Sequence, residues 1–143
     1  MRASAEPEPP PSKVVARYRN GQVIKGLTRD FAAYADRFHL FERGAANPAP
    51  REILVAELKG VYFVRDLDGD LGHAKSNIFD PSDTTPGRRI RVQFRDGEVM
   101  TGYTPDYLST RPGFFVLPAD LRGNADRCYI VAAATEKISL ISG

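Results

Sequence analysis

The sequence predicts an all-β protein: two tandem five-stranded small barrels forming an internal pseudo-dimer. Two observations predict it. The stretch Arg19–Phe31, RNGQVIKGLTRDF, returns as Arg95–Tyr107, RDGEVMTGYTPDY. Around both stretches apolar and polar residues alternate with period two, the mark of a half-buried strand. Self-similarity at a fixed offset means a duplicated unit, each copy one supersecondary module.

Residues 1–12, rich in Pro, Glu and Ala, cannot bury enough apolar surface to offset their ordering entropy and are expected to form an extended or disordered tail. The first copy spans residues 13–64. Its first strand sets Val14, Ala16 and Tyr18 against Val15, Arg17 and Arg19. Asn20-Gly21 predicts a two-residue type I′ hairpin, with positive φ at both positions. Gly26 interrupts the returning strand, which marks a bend or bulge that lets a small sheet curl. A third strand follows at DRFHLFE. REILVAELKGVYFV then holds two strands separated by a single helical turn.

The second copy spans residues 89–143 and repeats the order. Ile90, Val92 and Phe94 alternate with Arg91, Gln93 and Arg95, Asp96-Gly97 makes the turn, and Gly102 marks the bend. PGFFVLPAD and RCYIVAAATEKISLI supply the remaining three strands. Gly21/Gly97, Gly26/Gly102 and Phe38/Phe114 all stand 76 residues apart. The same offset is expected to run ungapped through Arg51/Arg127, Leu54/Ile130 and Tyr62/Ile138. Residues 65–88 form a polar linker, whose Ile78 and Phe79 are expected to pack across the interface between copies.

This order of elements resembles the SH3-like small barrel, and the Sm-like proteins in particular. Gly21, Gly26 and Asp30, and again Gly97, Gly102 and Asp106, are similar to the first Sm-like motif. Neither copy carries the Asn that follows the Asp in the Sm-like base-binding loop. Lys59-Gly60 partly matches the basic-residue–Gly pair of the second motif, and the second copy has no such pair. The chain also resembles a bacterial domain family of unknown function with the pattern DG…GYT…F and a VYFVRD edge. The resemblance implies a bacterial cytoplasmic protein, without implying a reaction.

Composition narrows the function classes. Net charge is +2 over 143 residues, too mild to mark a nucleic-acid footprint alone. No apolar run reaches the ~18 residues of a membrane span, so no membrane partner is expected. The lone Cys128 excludes an internal disulfide and fits a reducing compartment. Two His and one Cys cannot build an ordinary zinc site without carboxylates, and no metal, cofactor or catalytic residue is assigned. DLDGD at Asp66–Asp70 has the wrong glycine position for a calcium loop and reads as an acidic turn. His39 and His73 are isolated, and Cys128 reads as a small buried hydrophobe. With no nucleophile elbow, P-loop or metalloprotease signature, an enzyme is not expected.

Two binding surfaces stand out. Arg17, Arg19, Arg88, Arg89, Arg91 and Arg95 lie on or beside the polar faces of the two first strands. If a pseudo-twofold brings those faces together, arginine forks suit phosphate. The loop carrying Tyr103, Tyr107 and Phe115, stiffened by Pro105 and Pro112, suits a protein partner. The expected function is therefore a non-catalytic binding or scaffold module that recognises protein, including further copies of itself. The alternative is RNA, nucleic-acid or nucleotide binding on the arginine face.

Overall fold

The computed structural model describes residues 10–44, 49–68, 87–120 and 124–141. Ile78, Phe79, His73 and Asp70 lie outside the described residues. Among the described residues ten strands follow one another: β1 (Ser12–Tyr18), β2 (Val23–Thr28), β3 (Arg37–Glu42), β4 (Arg51–Leu54), β5 (Leu58–Val64), β6 (Arg88–Phe94), β7 (Val99–Thr104), β8 (Gly113–Pro118), β9 (Ala125–Val131) and β10 (Thr135–Ile141). One 3-10 turn joins β4 to β5 at Val55–Glu57, and another joins β9 to β10 at Ala132–Ala134. The all-β expectation holds.

The strands form one antiparallel sheet in the order β10-β6-β7-β8-β9-β5-β1-β2-β3-β4. The sheet is not closed: β10 and β4 are its two edges. Each half has the same internal order, its fifth strand beside its first. The halves meet where β5 pairs with β9, with Val61 opposite Tyr129 and Tyr62 opposite Cys128. A pseudo-twofold would pair like with like. Here a fifth strand meets a fourth strand, so the junction is head-to-tail.

Both hairpins correct the expected type I′ turn. Gly21 and Gly97 have φ of 94° and 95°, but Asn20 and Asp96 are not in the positive-φ region. Gly21 N–H donates to Tyr18 O and Tyr18 N–H to Gln22 O; Gly97 N–H donates to Phe94 O and Phe94 N–H to Glu98 O. This is a three-residue loop closed by a left-handed glycine. The Asn20 and Asp96 side chains accept from the N–H groups of Gln22 and Glu98, so they serve as turn clips and need no unusual φ.

The repeat register also needs correction past β3. Arg19 N–H donates to Glu57 O, and Arg95 N–H to Ala134 O. The donors are 76 apart but the acceptors are 77 apart (134 − 57). Phe38 faces Ile53, and Phe114 faces Ile130, again a 77-residue step. The second copy thus has one extra residue between its third and fourth strands. In a strand, a one-residue slip exchanges the two faces. Ile53, not Leu54, is the counterpart of Ile130, and both are fully buried.

Two apolar clusters fill the interior. The first gathers Val14, Ala16, Ile24, Phe38, Leu40 and Val61 with Tyr129 and Val131 of the second copy. The other gathers Ile90, Val92, Phe94, Met100 and Phe114 with Val15 and Tyr62 of the first. Alternation along β5 explains the exchange: Val61 and Phe63 face one cluster and Tyr62 the other. Six of the seven β5 residues are buried, as befits a strand covered on both faces.

Candidate interaction site

The arginines divide by what they bind. Arg19 Nη1 donates to Ala56 O at 3.2 Å, and Arg95 Nε to Ala133 O at 3.0 Å. These matching bonds clip each hairpin to the 3-10 turn of its own copy. Arg88 Nη2 donates to Tyr107 O at 2.7 Å. The guanidinium of Arg17 lies 5.1 Å from the Tyr62 ring centroid. Arg91 is exposed on β6, and Arg89 is half-buried beside it. In the sheet order four strands lie between β6 and β1, and the head-to-tail junction brings β5 and β9 together instead of the two first strands.

The tyrosine loop also faces inward in part. Tyr103 is buried, and Tyr107 packs edge-on against Phe114 at 4.9 Å. Phe115 joins a cross-copy aromatic group with Phe31, Phe63 and Tyr129. Asp106 Oδ1 accepts from the Phe115 N–H at 2.9 Å, and in the first copy Asp30 accepts from the His39 N–H at 2.9 Å. The aspartates that resemble the Sm-like motif therefore pin the third strand of each copy. His39 Nδ1 lies 2.7 Å from Asp30 Oδ2. Burial would push the Asp30 carboxyl up, but the bonds from His39 and Thr28 prevail and hold it below its ordinary range.

Two contacts across the copies were not foreseen. Tyr34 adopts φ of 70°, unusual for a residue with a side chain. Its hydroxyl donates to Asp106 at 2.6 Å and accepts from Arg111 at 3.0 Å, while its N–H donates to the Tyr129 hydroxyl at 3.2 Å. The bond to Asp106 raises the pKa of the Tyr34 hydroxyl. The strained backbone is held by partners from the other copy.

Lys59, nearly buried on β5, reaches the hairpin of the second copy. Its Nζ donates to Asp96 Oδ2 at 2.7 Å and to Glu98 Oε1, and sits 4.5 Å from the Phe94 ring centroid. The Lys59 bond holds the Asp96 carboxyl below its ordinary pKa. A depressed carboxylate adds stability above its unfolded pKa, and that stability is lost as pH falls through the folded value. Stability is therefore expected to fall between about pH 5 and pH 2, with a shallower fall in Lys59→Met. Urea midpoints measured across that range check it; equal slopes in both chains would show that Lys59 does not set the acid response. The sequence signal for Lys59 was its adjacency to Gly60, whose added Cβ would sit 2.9 Å from Tyr129 O.

Asp66 and Asp68 form an acidic turn. Asp66 Oδ1 accepts from the Asp68 N–H, and Asp68 pairs with Arg43 at 2.5 Å. Cys128 is buried in the second cluster. Burial pushes the Tyr62 hydroxyl pKa up, and its oxygen has no hydrogen-bond partner among the described residues.

The open edges remain. β10 is seven residues long and no strand among the described residues pairs with its outer side; Leu140 and Ile141 are 45% and 37% exposed. At the opposite edge β4 is four residues long, with Leu54 38% exposed. Pro50 precedes β4 and lacks the N–H a longer ladder would use. An unpaired row of backbone donors and acceptors beside apolar side chains can take another strand.

A family model described as "Family of unknown function (DUF6982)" matches residues 10–142. No curated protein and no solved structure matches the chain. No helix among the described residues is long and apolar enough to cross a membrane.

Proposed function

The chain belongs to this family of unknown function, and on that premise we propose that it is a non-catalytic binding module that takes a partner protein's extended strand along β10. Each half is then read as an open, strongly bent five-stranded unit of the SH3-like, Sm-like kind. The carrying observation is the pairing of β5 with β9. β10 stands in its own half where β5 stands in the first, beside the first strand, yet among the described residues its outer side is unpaired. The molecule thus contains one filled example of the docking that its free edge offers. Main-chain bonds supply affinity in such strand addition, and alternate side chains supply specificity. Leu140 and Ile141 offer apolar surface, while Glu136 and Lys137 limit indiscriminate pairing. The reduced state of Cys128 suits a cytoplasmic setting for this role.

Selection from a random peptide library tests the reading. Enriched peptides are expected to alternate apolar and polar residues and to bind Leu140→Asp at least about tenfold more weakly. Leu140 is exposed, so the variant should keep its melting temperature. Peptides that bind Leu140→Asp as tightly as the parent chain would sink the proposal.

A further inference from the structure

We infer that the seam between the copies carries a site for a small organic anion that joins a carboxylate or phosphate to a flat ring. A cavity of about 260 Å³ opens there, lined by Ser12, Thr28, Arg29, Phe31, Phe63 and Arg127 among others. It has room for one ring with its anionic group, and not for a polymer. This differs from the strand-arginine face in both place and residues.

Arg127 is the central feature. It lies on β9 opposite Phe63 on β5, at the pairing that joins the two copies. Its guanidinium carbon is 4.2 Å from the Phe63 ring centroid and 5.0 Å from that of Phe115. Stacking on rings holds a guanidinium plane in place and leaves its N–H edge for a planar acceptor. Among the described residues the Arg127 side chain makes these ring contacts and has no hydrogen bond or ion pair. Other arginines are spent differently: Arg37, Arg43, Arg51 and Arg65 each pair with a carboxylate. Among the described residues no carboxylate lines the cavity, and Arg29 brings a second guanidinium to it.

The rest of the lining selects what accompanies the anion. Phe31 meets Phe63 edge-on at 5.3 Å, giving the cavity an apolar wall. The Thr28 hydroxyl is already donated to His39 O at 2.8 Å, so the wall offers little competition from polar groups. A hydrated inorganic ion would gain nothing from that wall. A ligand with a ring gains its burial and the stacking together. Among the described residues the site has no counterpart in the first copy. By the 77-residue step, Pro50 stands in the first copy where Arg127 stands in the second. It is therefore a feature of the joined molecule and not of either repeat.

Amide chemical-shift titration of the full chain tests the site, using benzoate, phenyl phosphate and inorganic phosphate as separate probes. At least one ring-bearing anion is expected to saturate below about 10 mM, shifting amides of Thr28, Arg29, Phe63 and Arg127. Which of the two binds tighter assigns carboxylate or phosphate. Arg127→Ala should weaken that binding about tenfold or more, with Arg127→Lys recovering only part of it because lysine lacks the stacked fork. Arg17→Ala, whose guanidinium stacks on Tyr62 away from the cavity, should leave it unchanged. Arg127 is exposed, so melting curves should confirm that its variants are folded. Three outcomes overturn the inference: no saturation by either ring-bearing anion, affinity indifferent to Arg127, or inorganic phosphate binding as tightly as both.

Discussion

Replacing Gly102 with valine is expected to lower the melting temperature by on the order of 10 °C, through a loss of about 3 kcal/mol or more. A Cβ at Gly102 would sit 2.2 Å from Leu117 O and 2.7 Å from Val116 Cγ1. The first obstacle is backbone, so no side-chain rotation relieves it. Gly102 is also where β7 is paired on both sides, opposite Ile90 of β6 and Pro118 of β8. Separating the strands to admit a side chain would break the ladder where β7 is held on both sides. Gly26→Val should behave alike, since its Cβ would meet Phe41 O at 2.2 Å. Gly97→Ala is the contrast: nothing lies within 4 Å of its Cβ, and only the left-handed φ of 95° opposes it. Its cost should be about 1–2 kcal/mol. Thermal melts of the three chains check the order. A Gly102→Val melt within a degree or two of the parent would mean that β7 and β8 do not pack as closely as described.

Tyr129→Ala should cost about 3–5 kcal/mol, the range for emptying a large aromatic site in a core. Tyr129 is 1% exposed and is the largest fully buried side chain. It belongs to the second copy yet fills the cluster of the first, where it meets Phe31 and Phe115 with ring centroids 5.3 Å away. Gly113 leaves the space it needs, because a Cβ there would fall 2.4 Å from the ring. Tyr129→Phe keeps the packing and loses only the bond from the Tyr34 N–H, so about 1 kcal/mol is expected. Because the clusters share residues across the seam, both copies should unfold together. Urea unfolding followed by far-ultraviolet circular dichroism and by tyrosine fluorescence should give coincident transitions in the parent chain. Separate transitions, or a Tyr129→Ala cost below 1 kcal/mol, would show the copies to be independent.

The repeat made most of the strand order legible. Asn20-Gly21 and Asp96-Gly97 located the hairpins, and Gly26 and Gly102 stand where the third strand of each copy comes within 2.2 Å of an added Cβ. Their turn type was misread because the dipeptide alone does not say whether the loop has two or three residues. The register past β3 was misread for a related reason. Arg51/Arg127 agree in identity at 76 apart, yet Ile53 and Ile130, 77 apart, do the same structural work. A one-residue difference in a loop leaves no periodic trace, but it exchanges the faces of the next strand. The seam was harder still. Which strand of one copy meets which of the other depends on contacts between residues almost seventy positions apart, such as Val61 and Tyr129. Lys59 looked like part of a loop motif, when its charge in fact answers Asp96 and Glu98 of the other copy. Arg127 stood in the sequence only as the repeat match of Arg51, until the fold placed two phenyl rings beneath it.

The pairing of β5 with β9 also has a consequence for synthesis. Emerging from a ribosome at roughly 5–20 residues per second, the first copy waits several seconds for the strand that covers it. Val61 and Phe63 are made long before Tyr129, and during that interval they border an uncovered edge of a strand that ends up buried at six of its seven residues. Nascent chains crowded on one messenger would present this edge to one another, with cross-pairing between neighbours as the competing outcome. Slow addition of the second half is thus the vulnerable period in the life of this protein, and it ends only when a strand made late closes over one made early.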